Sequence, residues 1–235
     1  MDVYAADMDG DGDLDAVSSA FEGESIAIDE NMAGDGSTWI KTAIASGGDP
    51  RAGIGDIDGD GDIDVLAIRD DVGDVAWWSN TAGDGSAWSR TPIALIDQPI
   101  HAAAADLDGD GDLDVLVADF AADRIEWYEN TNGDGSAWTG HTVVADLDGA
   151  RWVTAADLDG DGDLDVVGSA SFERDVRWWA NDGTAGGWAE TIVEGNLFSA
   201  RLGVVADLDI DGDLDIAVAG QGSSDLRWYE NTAGD

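Results

Sequence analysis

The chain has 235 residues, 43% of them apolar, with 52 acids facing only ten Lys and Arg for a formal charge of −42. That imbalance argues against nucleic acid and anionic membrane surfaces as partners, and no apolar run approaches the roughly 18 to 20 residues that span a bilayer. The absence of cysteine excludes disulfides and thiolate metal sites, whereas 11 Trp with recurrent Val, Leu and Ile supply the core that a disordered acidic tail lacks.

From the N-terminus, a short apolar stretch ending at Ala6 reads as a strand and leads at once into Asp7-Met8-Asp9-Gly10-Asp11-Gly12-Asp13-Leu14-Asp15. Met1-Asp2-Val3-Tyr4 leaves no room for a signal peptide, so the chain reads as an excised or mature stretch. A second apolar stretch follows the aspartate string. A third, alternating in period two, ends at Asn31, and after a Gly-rich turn Trp39 opens a fourth. The whole pattern then recurs. Its aspartates fall at Asp56, Asp58, Asp60, Asp62 and Asp64, at Asp106, Asp108, Asp110, Asp112 and Asp114, at Asp157, Asp159, Asp161, Asp163 and Asp165, and at Asp207, Asp209, Asp211, Asp213 and Asp215. The third strands of the later copies end at Asn80, Asn130, Asn181 and Asn231, and the fourth strands open at Trp88, Trp138 and Trp188.

Internal repeats of about fifty residues, each with four short strands and no helical periodicity, predict the blades of a propeller. The expected fold is all-β: a single five-bladed β-propeller over 1–235, with repeats at roughly 1–50, 51–100, 101–150, 151–200 and 201–235. After Asp207 there is chain for only two more strands, so the last blade is expected to have three. A closed ring without strand exchange is the leading expectation. The rival is an arc of a larger ring, whose incomplete last blade would offer an edge for self-assembly.

Five carboxylates in nine residues repel one another unless a hard cation neutralises them, and Ca²⁺ suits an all-oxygen donor set. In each string, positions 1, 3 and 5 offer carboxylates, position 6 is the glycine of the turn, and position 7 offers its carbonyl. Position 12, where a helical calcium loop closes with Glu, holds Ser18, Ala67, Val117, Gly168 and Val218. Closure therefore falls to the Asp at position 9. About five structural calcium ions are expected, and they would offset only ten of the 42 surplus negative charges. The fifth loop has Ile210 at position 4, where the others have glycine, and keeps all its ligands. Asp146-Leu147-Asp148-Gly149 begins like a sixth loop, lacks the later ligands, and is expected to be only a turn.

The string and its strand context resemble the integrin-like FG-GAP/VCBS repeat family of calcium-binding β-propellers, in which the calcium loop joins the first two strands of a blade. The resemblance covers essentially the whole chain. It implies an extracellular or cell-surface binding or adhesion module with a carbohydrate or protein ligand. A repeat scaffold with no ligand beyond calcium is the alternative. A polysaccharide-active enzyme is disfavoured, because only His101 and His141 are present and no Gly-x-Ser-x-Gly occurs.

Two periodic features are candidates for ligand contact. Trp77-Trp78, Trp127-Tyr128, Trp178-Trp179 and Trp228-Tyr229 sit on third strands and are expected to form the packing between blades rather than sugar platforms. Arg51, His101, Arg151 and Arg201 enter the first strands at the end opposite the aspartate loops, with Asp2 nearby in blade one. They could hold an anionic group such as a sugar acid or a partner's carboxylate. Pairing with Asp70, Asp71, Asp123, Glu173 and Asp175 is the preferred expectation, since surface pairing needs no ligand.

Overall fold

Short runs of β-branched, aromatic and alanine residues, each bounded by Gly- and Asp-rich turns, leave the backbone little choice but hairpins. In the computed structural model, which describes residues 3–20, 25–46, 50–222 and 224–232, they form five antiparallel sheets with strands in sequence order. Blade one is β1 (Val3–Ala6), β2 (Asp15–Ala20), β3 (Ser25–Asn31) and β4 (Trp39–Ser46). Blade two is β5 (Pro50–Gly55), β6 (Asp64–Arg69), β7 (Asp74–Asn80) and β8 (Trp88–Leu95). Blade three is β9 (Pro99–Ala105), β10 (Asp114–Asp119), β11 (Arg124–Asn130) and β12 (Trp138–Val144). Blade four is β13 (Ala150–Ala156), β14 (Asp165–Ala170), β15 (Val176–Asn181) and β16 (Trp188–Glu194). Blade five has three strands, β17 (Ala200–Ala206), β18 (Asp215–Gly220) and β19 (Asp225–Tyr229). The fold is thus the expected five-bladed propeller with a three-stranded last blade. The first strand pairs within blade one, so no strand is exchanged between the ends.

The five first strands surround one channel, a cavity of about 520 Å³ that touches Tyr4, Ile54, Ala103, Thr154 and Val204. Apolar clusters join each blade to the next. Val17, Ile26 and Ile28 meet Val65, Ala67 and Trp78 between blades one and two. Leu66, Ile68 and Trp77 meet Val115, Val117 and Tyr128 between two and three. Leu116, Ile125 and Trp127 meet Val153, Val166 and Trp179 between three and four. Between four and five, Trp152, Val167 and Val176 meet Ile216 and Val218. The third-strand aromatics of blades two to four are therefore mostly inter-blade core, as expected.

The fifth-to-first junction is packed differently from the other four. Among the described residues no apolar cluster joins blade five to blade one. Cross-strand register places Leu202, Val204, Leu226 and Trp228 on one face of blade five, where they are 49% to 77% exposed. Their counterparts in blade four, Trp152, Thr154, Val176 and Trp178, face blade five. The corresponding outward face of blade one carries Ala5, Ala16, Asp29 and Lys41 in register, with Lys41 Nζ 3.3 Å from Asp29. A small, charged face does not complement a large apolar one.

The recurrent Asn at the end of the third strand ties the blades together at the aspartate end. The Asn130 backbone N–H donates to Asp114 of its own blade (2.9 Å), and its side-chain amide donates to the Ile57 carbonyl of the preceding blade (2.9 Å). Its side-chain oxygen accepts from Gly135 N–H (2.9 Å). Asn80, Asn181 and Asn231 reach back in the same way to Met8, Leu107 and Leu158. Asn231 does so although β19 ends two residues earlier. Asn31, in blade one, turns instead to Leu14 of its own loop at 3.4 Å.

Asn130→Ala should therefore destabilise the chain by about 2–4 kcal/mol, because it strands a buried carbonyl and a buried N–H. Asn31→Ala should cost distinctly less. Urea denaturation of the two variants checks this, and equal losses would contradict the inter-blade role.

Candidate functional site

Each aspartate string links the first strand of a blade to the second, and its carboxylates first satisfy the loop's own backbone. In the loop from Asp106 to Asp114, Asp106 accepts the N–H groups of Gly109 (2.9 Å) and Gly111 (3.0 Å). Asp108 accepts from Asp110 (3.2 Å), and Asp110 from Asp112 (3.0 Å). These bonds wind the chain inward through two glycines at φ 75° and 100°, a conformation costly for any residue with a Cβ. In the fifth loop Ile210 adopts φ 69° at the equivalent of Gly109. The position-9 aspartates are buried. Asp114 accepts Leu107 N–H (3.0 Å) on one oxygen and Asn130 N–H (2.9 Å) on the other.

The structure brings together positions 1, 3 and 9 in every repeat, with one carboxylate oxygen from each lying within 4.8 Å of the others. The clusters are Asp7, Asp9 and Asp15; Asp56, Asp58 and Asp64; Asp106, Asp108 and Asp114; Asp157, Asp159 and Asp165; and Asp207, Asp209 and Asp215. Five aspartate clusters could thus hold metal ions.

Positions 5 and 7 do not join these triads. Asp11, Asp60, Asp110, Asp161 and Asp211 turn to the N–H of position 7. Asp13, Asp62, Asp112 and Asp163 lie against the glycine of the turn between third and fourth strands. A Cβ on Gly83 would meet Asp62 Oδ2 at 2.5 Å.

The donor set suits a hard cation: all oxygen, all anionic, and inconsistent with closely spaced like charges left alone. One cluster oxygen, Asp56 Oδ1, is buried without a hydrogen-bond partner. Burial pushes Asp64 and Asp114 up to about 7, against the opposing pull of their backbone N–H partners. Burial and neighbouring aspartates also raise Asp58, Asp108 and Asp209. Asp215 is the exception, lowered by its bond from Asn231 N–H.

The opposite end of the blades is built differently. Register puts Arg51 across from Ile68 and Gly55 across from Asp64, so Arg51 lies at the far end of its strand from the metal loop. Arg151 and Arg201 start β13 and β17 in the same way, and His101 lies in β9 with its ring 6.4 Å from Trp152. Asp2 lies outside the described residues.

Arg51, Arg151 and Arg201 do not form the expected pairs with Asp123, Glu173 or Asp175. Glu173 and Asp175 are taken by Arg177, which reaches both from two and four residues away. Asp123 accepts Gly149 N–H at 2.8 Å. Among the described residues no ion pair joins Arg51, Arg151 or Arg201 to a carboxylate. Burial, with Arg201 and Arg51 close by, instead pulls the Arg151 guanidinium below its usual range.

An FG-GAP-like repeat model matches residues 56–117 and 106–168, the stretches that carry the second to fourth aspartate loops. Residues 56–168 thus match FG-GAP-like repeats. No curated protein matches it.

Solved structures share the architecture of these FG-GAP-like repeats. A lectin from Agrocybe aegerita, described for specific recognition of non-reducing terminal N-acetylglucosamine, superposes with a TM-score of 0.65 at 20% identity, over 98% of this chain and 66% of that one. A protein from Lactobacillus plantarum gives 0.60 at 17% identity, over 93% and 64%. The V. cholerae biofilm matrix protein Bap1 gives 0.53 at 24% identity, over 87% and 30%. At these identities the likeness establishes the fold. The chain spans less than two thirds of the length of each of these structures.

Two measurements test the loops. Asp64 and Asp114 have folded values near 7 against a reference of 3.8. Between those limits the metal-free folded state holds more protons than the unfolded chain, so its stability should fall as pH rises from about 4 to about 7. Millimolar Ca²⁺ should abolish that fall by favouring the charged form. Metal-stripped protein that melts higher at pH 7.5 than at pH 5 would contradict this. Separately, Ile210→Gly should stabilise by about 1 kcal/mol by relieving the left-handed backbone at a β-branched residue, read as a raised denaturation midpoint.

Proposed function

We propose that the chain is a non-catalytic binding module of extracellular type, stabilised by calcium in its aspartate loops, with a carbohydrate or protein ligand on the opposite face. The observation that carries the ligand-binding part is the set of arginines at that face. In a chain with ten Lys and Arg against 52 acids, Arg51, Arg151 and Arg201 have no carboxylate partner among the described residues. Leaving guanidinium groups near one another at the mouth of a channel is unfavourable unless an anion completes the site.

Calcium is supported by the triads of positions 1, 3 and 9 and by the family whose repeats the chain carries. When bound, the ion would be held by those carboxylates and would supply the positive charge that the buried position-9 group lacks. Loops of extracellular modules bind in the range of ~10⁻⁴ to 10⁻³ M, which cytosolic calcium would not fill. That supports a secreted or surface location. The non-catalytic reading draws on His141, which is engaged in packing, stacked on Trp127 at 4.5 Å and in contact with Glu129 at 3.0 Å. The carbohydrate reading draws on the lectin of like fold, which recognises N-acetylglucosamine.

Calcium should raise the melting temperature by about 10 °C or more, as expected for several ions bound only by the folded state. A melting curve indifferent to chelator at low salt removes the calcium part. A glycan array probed with and without Ca²⁺ tests the ligand part, and silence in both conditions would leave a repeat scaffold without a ligand.

A further inference from the structure

We propose that the cleft between the turns of blades three, four and five, on the face opposite the aspartate loops, binds a carboxylated sugar residue, a terminal uronate. This rests on the reading of that face as ligand-binding and names the chemistry the site selects. The cleft encloses about 290 Å³, at the lower end of the range for small-molecule sites and suited to a single sugar ring.

Its walls combine two residue types that are scarce in this chain. Three of the four phenylalanines, Phe120, Phe172 and Phe198, line it together with three of the ten basic residues, Arg151, Arg174 and Arg201. No Asp or Glu lies among the lining residues, although 52 are present in the chain.

The arrangement is built rather than incidental. Phe120 and Phe172 pack with centroids 5.3 Å apart and planes tilted by 56°. The Arg151 guanidinium lies 5.5 Å over Phe120, and that of Arg174 lies 4.6 Å over Phe198. Both phenylalanines on the blade-four and blade-five turns are exposed, Phe172 at 63% and Phe198 at 47%, where water alone would not favour them. Gly149 and Gly222 carry no Cβ where those two rings lie. Arg174 (φ 69°) and Ser199 (φ 56°) are held in the left-handed region, a strain that surrounding structure must sustain. Two polar atoms of the lining, Ser171 Oγ and Arg201 Nε, are buried without a hydrogen-bond partner.

A uronate answers each of these features. Its carboxylate matches the guanidinium fork bidentately, its C–H face fits an aromatic ring, and its hydroxyls satisfy a stranded serine. A neutral sugar would leave the arginines unmatched. An acidic peptide would need a strand edge or an extended groove for its backbone, and the lining comes mostly from turns and the first residues of β13 and β17.

The test titrates the full chain in Ca²⁺ with galacturonate and glucuronate oligosaccharides, with their neutral galactose and glucose counterparts, and with an acidic peptide ending in a free carboxylate. Calorimetry should show uronates binding at least tenfold tighter than the neutral sugars, and weakening as salt is raised. Arg201→Gln and Arg151→Gln should each cost tenfold or more. Phe172→Ala, at an exposed ring, should weaken binding with the melting temperature unchanged, which keeps the test valid if an arginine variant misfolds. Uronates bound no tighter than neutral sugars, affinity unchanged in the variants, or a preference for the peptide would each overturn the proposal. Neutral glycans bound while uronates are ignored would leave the carbohydrate-binding reading standing. Silence towards every glycan would remove that reading as well.

Discussion

The buried aspartate at the ninth position of each loop is the joint on which the structure depends. Each of its oxygens accepts a backbone N–H, one from the second residue of its own loop and one from the Asn ending the third strand, as Asp64 does from Ile57 and Asn80. The same Asn reaches back to the preceding blade, and its target is the carbonyl of that blade's second loop residue, here Met8. Loop shape, hairpin register and blade-to-blade contact are thus fastened through one carboxylate and one amide. Since that carboxylate also belongs to the aspartate triad, a bound cation would act on all three at once. Metal affinity and ring packing are therefore coupled physically.

The basic residues divide by whether an acid partners them. The loops concentrate carboxylates at one end. Lys41, Arg69, Arg90, Arg124, Arg177 and Arg227 are each paired with acids. The remaining four cations, Arg51, Arg151, Arg174 and Arg201, gather at the other end. Within a strongly acidic protein, a cleft lined by Arg151, Arg174 and Arg201 and by no carboxylate would attract an approaching anion. The protein's net charge then favours selectivity rather than opposing it.

Much of this was legible in the sequence because repetition exposes what a single copy hides. Strand boundaries, the aspartate loops and the truncated last blade all follow from aligning the five copies. Asn31, Asn80, Asn130, Asn181 and Asn231 recur as faithfully as the aspartates, yet read only as strand ends. Their reach across blades spans more than seventy residues and depends on how the ring folds back. Ion pairing failed for a similar reason. Strand order puts Glu173 and Asp175 at the same end of the blade as Arg151, but Arg177, four and two residues away, takes both. Phe120, Phe172 and Phe198 offered a signal that went unread: large aromatics placed in turns, outside the period-two pattern that explains the tryptophans. The triads of positions 1, 3 and 9 likewise emerge only once the glycines have wound the loop inward.

The unequal faces of the first and last blades give the ring a direction. Blades two to four are held on both sides by apolar clusters, whereas among the described residues blades one and five are each joined by such a cluster on one side only, and Leu208 at the blade-five loop is exposed where Met8, Ile57, Leu107 and Leu158 are buried. In a stack coupled mainly between neighbours, opening costs least where one interface is absent. Blade five is then the end from which the array unzips. Backbone amides in β17 to β19 should then exchange with solvent ahead of those in blades two and three, and the segment carrying Phe198 and Arg201 adjoins that end. The cationic cleft therefore spans a gradient of rigidity, firm on its blade-three wall and yielding on its blade-five wall.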